Sequence, residues 1–280
     1  MKMSLVPLLV LTAVGLGGCN ISVGDGQITI GSKTHVWTRA DGDVKVSASE
    51  DFAAGDKIRV KGLGISTGGV SYSSNGGITV KTSANATKIS VTATVFGIGT
   101  GKDEEKSDAG EANRAVAESV KVEKDGDTWV ISCGQKTVGN VDSGCNYLNI
   151  EIPQGTEEAP VDLDVNCAVG GVELRLDGPT ANLKAEAGLG KLYTEARPAQ
   201  GASIVLKSTS DDDGVELKVP ADVSADSVQL IGRTDGDKPS SSDFEGATFD
   251  GASFSIGESG TGASLIKLDA DDGRVRLRKL

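Results

Sequence analysis

Gly201-Ala202-Ser203-Ile204-Val205-Leu206-Lys207, followed by Asp211-Asp212-Asp213-Gly214-Val215-Glu216-Leu217-Lys218, is the stretch that decides the fold class. It is echoed by Gly262-Ala263-Ser264-Leu265-Ile266-Lys267-Leu268, followed by Asp271-Asp272-Gly273-Arg274-Val275-Arg276-Leu277. Each copy is an aliphatic run, an acidic glycine turn and a second run that alternates apolar with polar. Gly171, Gly190 and Gly214 fall 19 and 24 positions apart, and irregular periods near 20 suggest the rungs of a solenoid. A single rung cannot bury its apolar face alone, so neighbours must stack on it.

Period-two alternation, the mark of strands with one buried face, recurs elsewhere. It appears at Val44-Lys45-Val46, Lys57-Ile58-Arg59-Val60, Ile89 to Val95, Val172 to Leu176, Val215 to Val219 and Val275-Arg276-Leu277. Turns such as Asp125-Gly126-Asp127 and Asp272-Gly273 enter these runs, Gly and Asp being residues that accept left-handed backbone. One helix is predicted inside an excursion over 97–120. Asp103-Glu104-Glu105 places negative charge on its first turn, and Ala109, Ala112, Val116 and Val120 recur at near-helical spacing. Residues 233–262, which include Lys238-Pro239-Ser240-Ser241-Ser242-Asp243, read as irregular. The expected fold is all-β: a single-domain, β-solenoid-like stack of short strands with one short helical excursion.

Turn glycine followed by Val-x-Leu, as in Gly171-Val172-Glu173-Leu174-Arg175-Leu176 and Asp213-Gly214-Val215-Glu216-Leu217, resembles the bacterial "putative adhesin" β-solenoid family. The resemblance covers most of residues 36–280. It implies a structural or adhesive role and carries over no catalytic residues. The helical excursion and the segment between Cys133 and Cys145 depart from the plain repeat.

The start of the chain sets the expected compartment. Lys2, the apolar run Leu5 to Leu16 and Gly17-Gly18-Cys19 have the layout of a signal peptide over residues 1–18. Leu16-Gly17-Gly18-Cys19 resembles the bacterial lipobox, which implies lipid attachment at Cys19 and membrane anchoring through two or more acyl chains. Asn20 stands where an inner-membrane retention signal would have Asp, which favours the outer membrane. Residues 19–35 would then form the lipidated N-terminus and a tether or first strand, and 36–280 the domain.

The chain carries a net charge of −12, a balance that keeps it soluble and repels nucleic acid. Aromatics are only 4% of residues while glycines number 38, so a thin core of aliphatic layers fits better than an aromatic-centred one. Cys133 and Cys145 are the expected disulfide, closing a glycine-rich loop between two strand-like runs for about 3 kcal/mol. Cys167 shares the apolar face of Val161, Leu163, Val165 and Val169 and reads as a buried small hydrophobe.

Candidate chemistry is sparse. Gly64-Ile65-Ser66-Thr67-Gly68 satisfies the nucleophile-elbow pattern, but the sole histidine, His35, precedes the serine, whereas that chemistry needs a later one. Gly97 to Lys102 lacks the spacing of a phosphate loop, and the aspartate turns lack a complete calcium repeat. No catalytic residue, metal or cofactor is expected. Arg274, Arg276 and Arg278 on one face of the last strand are the candidate contact for an anionic ligand, against the alternative that they keep an edge strand from pairing with strangers. The expected function is a lipid-anchored, non-enzymatic structural or adhesive module of the cell envelope that contacts glycan or envelope protein. The alternatives are a β-helical enzyme acting on acidic polysaccharide and a periplasmic sensor or assembly partner.

Overall fold

The computed structural model describes residues 21–280 except 25–26, 31–32, 37–43, 63–64, 68–69, 73–76, 99–102, 140, 169, 189, 211–213, 238 and 258–262. Three short strands, β1 (Ile21–Gly24), β2 (Gln27–Ile30) and β3 (Lys33–Val36), form a small antiparallel meander. Next come β4 (Val44–Asp51), β5 (Lys57–Gly62), β6 (Ile65–Thr67), β7 (Val70–Tyr72), β8 (Gly77–Ser83) and β9 (Lys88–Ile98). Helix α1 (Asp103–Glu118) follows, then β10 (Lys121–Asp125), β11 (Thr128–Ser132), β12 (Gln135–Val138), β13 (Val141–Pro153) and β14 (Val161–Cys167). Two long strands, β15 (Gly171–Ala187) and β16 (Leu192–Ser208), precede β17 (Val215–Val219) and β18 (Val228–Thr234). The chain ends with β19 (Ser241–Ser242), β20 (Thr248–Asp250), β21 (Ser253–Ile256), β22 (Ser264–Ala270) and β23 (Val275–Lys279).

Hydrogen bonds join 18 of these strands into one sheet that is not closed into a barrel. It is folded into two ladders that share one core. The first runs β11, β5, β14, the second half of β15, the second half of β16, β22 and β18, all parallel. The second runs β13, β8, the first half of β15, the first half of β16, β17, β23 and β19, again all parallel. β15 and β16 belong to both because each bends midway, with Gly178 (φ +87°) in one bend and Gly201 (φ +71°) in the other. They are 17 residues each, longer than the short strands around them. A bend that keeps the strand hydrogen-bonded hides the break between two rung segments.

Register explains the alternation. On the first ladder Trp129, Ile58, Leu163, Leu183, Ile204, Ile266 and Leu230 lie in one inward column. On the second, Ile150, Val80, Leu174, Thr194, Leu217 and Leu277 form another. Parallel in-register pairing places like on like about 4.8 Å apart, and each fully buried Leu or Ile contributes about 1.5–3 kcal/mol. The glycines seen in the sequence mark one corner of this stack. A Cβ on Gly77 would lie 2.4 Å from the Gly171 carbonyl oxygen, and one on Gly190 (φ +152°) would lie 2.7 Å from the Gly171 nitrogen.

Rung order departs from chain order at both ends. The rung 57–62 with 77–83 is wedged between 128–153 and 161–176, and the C-terminal rung 264–279 lies between 203–219 and 228–242. The two stretches that echo each other in sequence are therefore direct neighbours in space. Residues 233–262, read as irregular, contain three short strands, β19 to β21. They are too brief to show a period; β19 pairs with β23, β20 is exposed, and Phe254 and Ile256 bury β21 against β18. Gly232, inward on β18, makes room for the Phe254 ring.

The other end is closed by antiparallel β4, β9 and β10 and by α1. Ala109, Ala112 and Val116 on the helix are fully buried, as their spacing predicts, and Val116 joins the main core. Cys133 and Cys145 form the expected disulfide, with Cα atoms 6.2 Å apart. The segment between them is a hairpin, β12 pairing with the start of β13, rather than an open loop. Gly139, at φ +57°, supplies the left-handed turn that pairing requires. Cys167 is buried within the core and, among the described residues, forms no disulfide.

Thr194 breaks its column, since its hydroxyl is buried with no hydrogen-bond partner among the described residues. An unsatisfied buried hydroxyl costs about 1–3 kcal/mol. Thr194→Val, which keeps the shape and removes the polar atom, is therefore expected to stabilise by about 1 kcal/mol and raise Tm by about 2–4 °C in a thermal melt.

Candidate functional site

With the inward positions occupied by aliphatic columns, chemistry is left to the outward ones. On the second ladder they form two rows across the rungs. One carries Asn149, Thr79, Glu173, Tyr193, Glu216 and Arg276; the other carries Glu151, Lys81, Arg175, Glu195, Lys218 and Arg278. Tyr193 is the aromatic centre. Arg175, Lys191 and Lys218 lie 5.6, 5.2 and 5.2 Å from its ring centroid, within cation–π range. Lys218 donates to the Tyr193 hydroxyl, which in turn donates to Glu195. Burial, and then the contact with Glu195, raises the tyrosine above its ordinary pKa, so it stays a neutral phenol.

The carboxylates are tied to the same network. Arg175 holds Glu173 at 2.7 Å and Glu195 at 3.7 Å, while Lys191 holds Glu216 at 2.7 Å and Arg276 reaches it at 3.8 Å. Burial pushes the Glu216 carboxyl up, but Lys191, with Lys218 and Arg276 nearby, outweighs it and holds the group below the usual carboxylate range. Toward the N-terminal rungs the same face becomes richer in hydroxyls, with Thr92 and Thr94 on β9 and Ser47 and Ser49 on β4.

Of the residues proposed from sequence for an anionic ligand, Arg276 and Arg278 lie on this face. Arg274 is exposed at the turn just before β23. Arg278 is engaged by Asp243 at 2.5 Å and by Ser241 at 3.1 Å. Cys19 lies outside the described residues. Ser66 sits within a short strand, β6, paired with Ser71, instead of on the strand-to-helix turn a nucleophile elbow needs. Among the described residues no group of three or more His, Cys, Asp or Glu side chains is placed to hold a metal ion.

Two features escaped the sequence reading. Tyr193 occupies, one rung on, the place that Glu173 and Glu216 hold in their rungs, so register alone could have flagged it. The other is Asp56, in the β4–β5 turn. It accepts hydrogen bonds from Lys124 Nζ at 2.7 Å, Trp129 Nε1 at 2.8 Å and the Ala53 amide at 3.2 Å. Beside it is a cavity of about 230 Å³ lined largely by apolar groups, among them Phe52, Ile152, Pro153 and Val161.

No protein-family model matches the chain, and no curated protein matches it. Among solved structures it is similar to a "putative cell adhesion protein" from Clostridium sporogenes ATCC 15579, at 10% identity and a TM-score of 0.48, over 85% of this chain and 100% of that one. It is also similar to a "putative adhesin" from Bacteroides fragilis NCTC 9343, at 11% identity and a TM-score of 0.24, over 85% and 98% of the two chains. A third, a "putative adhesin" from Parabacteroides merdae ATCC 43184, has 8% identity and a TM-score of 0.29, over 86% and 97%. These likenesses are too distant to carry residues or activity across.

Burial pushes the Asp56 carboxyl up, but the hydrogen bonds from Lys124, Trp129 and Ala53 prevail and hold it below its ordinary value. A depressed folded-state pKa stabilises above the unfolded-state value, about 3.9, and that contribution fades as pH falls through the folded-state value. Asp56→Asn should cost about 1–2 kcal/mol at pH 7. The gap in Tm between the variant and the parent should narrow in melts taken from pH 5 downward.

Proposed function

We propose that the protein is a non-enzymatic binding module, held at the cell envelope by lipid on Cys19, and that it meets a glycan or envelope-protein ligand through the outer face of the second ladder. The observation that supports this reading is Tyr193 fixed at the centre of a flat, ion-paired face. Side chains on stacked strands are spaced by the backbone repeat, so such a face is ordered before ligand arrives and loses little entropy on contact. Its hydroxyl-rich end suits sugar hydroxyls, and its charged end suits ionic groups. The carboxylates present are engaged by Arg and Lys, which suits ligand positioning better than proton transfer.

Two measurements test the reading. On a glycan array the purified protein should bind without releasing reducing ends, and Tyr193→Ala should weaken that binding by about tenfold; release of reducing ends would favour the enzyme alternative, and failure to bind any glycan or envelope extract would refute the module. In bacteria expressing the full chain, radiolabelled palmitate should enter the protein and be lost in Cys19→Ala, which should leave the membrane fraction. A Cys19→Ala protein that still takes label would overturn the anchor.

A further inference from the structure

The two outer faces of the stack treat charge differently. On the first ladder, charged residues in register across neighbouring strands alternate in sign. Arg59 faces Asp164, which faces Lys184. Glu186 faces Lys207, Lys207 faces Asp269, and Asp269 faces Arg233. The second ladder breaks this rule twice. Lys81 lies in register with Arg175, and Lys218 with Arg278. Like charges directly opposite one another on neighbouring strands are destabilising, and this chain has acidic residues in excess, with a net charge of −12. The two pairs flank Tyr193 and Glu195, in a protein whose other face avoids such pairs among the described residues.

Local partners relieve the pairs only in part. Arg175 is shared by Glu173 and Glu195, and Arg278 is held by Asp243. Lys81 is exposed and has Glu151 in register on its other side, and Lys218 gives its hydrogen bond to the Tyr193 phenol, with no carboxylate at hydrogen-bond distance among the described residues. One face thus bears two cationic positions separated by three rung steps, about 14 Å, with an aromatic ring between them.

We propose that this row is the binding site of an anionic glycan lying along the stack, with carboxylates or sulfates over the Lys81–Arg175 and Lys218–Arg278 pairs and a sugar ring over Tyr193. The inference deepens the functional reading above and rests on it. An extended saccharide advances by roughly one rung per ring, so charges three rings apart meet both pairs. The ligand adds negative charge over each like-charged pair, beyond that of Glu151 and Glu195 at their flanks. Large exposed apolar side chains among the described residues are Tyr147, Phe249 and Leu280, none of them in this row, so a lipid surface has little there to take hold of.

The test uses the purified protein and four probes: an oligogalacturonate, a heparin oligosaccharide, a neutral cello-oligosaccharide and polyglutamate, titrated calorimetrically at low and moderate salt. One or both anionic saccharides should bind, with affinity that falls as salt rises. Lys81→Gln, which breaks no contact with Tyr193, should lose affinity while its Tm stays level or rises because like-charge repulsion is relieved, and the double variant Lys81→Gln, Lys218→Gln should lose at least about tenfold in that affinity. A merely structural role for these lysines would lower Tm and spare binding. Preference for the neutral saccharide, or unchanged affinity in the variant, would overturn the site and leave the binding module standing. Binding of polyglutamate alone would replace glycan by an acidic polypeptide. If no probe binds, the anionic-glycan site falls, and the array result above decides the module separately.

Discussion

Each rung of this protein exposes an aliphatic row that is buried only when another rung lies on it in register. Ile58 and Leu163, or Leu217 and Leu277, do not pack across a conventional core alone; they also pack along columns whose spacing is the strand repeat. The corners have to match this geometry. Gly77, Gly171 and Gly190 lie where backbone meets backbone, and a side chain there would push two rungs apart. The first and last rungs lack a neighbour on one side, and the chain supplies caps. α1 and antiparallel strands close one end, and the Phe254 hairpin covers part of the other.

The same constraint builds the outer faces. A strand that must point Val, Leu and Leu inward has every second residue left for solvent, and parallel register aligns these residues into rows. Charge in such rows is read rung against rung. The first ladder satisfies this locally by alternating sign, while the second concentrates cations on either side of Tyr193. Interleaving at the two ends adds a further demand. The C-terminal rung must enter between rungs that precede it in sequence, so part of the stack forms only after distant segments meet. Non-local pairing of this kind carries a loop-closure cost before it gains contacts.

Much of the fold was legible because its signals are local. Val172 to Leu176 shows its buried face by alternation, Ala109, Ala112 and Val116 show theirs by helical spacing, and Cys133 and Cys145 sit a hairpin apart. Strands β19 to β21 were not legible, since two to four residues carry no period and they are placed by distant partners, β19 by β23 and β21 by β18. The candidate face was legible only at its edge. Arg276 and Arg278 stood out as a run along one strand, whereas Tyr193, Lys81 and Lys218 come from three separate strands.

The sequence by itself determined the alternation that points aliphatic residues inward, the helical spacing of Ala109, Ala112 and Val116, and that the rungs must stack, because these follow from local period and short-range geometry; it favoured the Cys133–Cys145 pair that the structure shows. Only the tertiary structure decided which rung lies on which. The order 128–153, 57–83, 161–176 and the seat of 264–279 depend on pairing between segments far apart in the chain. Rungs of similar aliphatic pattern are nearly interchangeable by local criteria, so the choice among them is made by caps, corners and charge acting together in the folded stack.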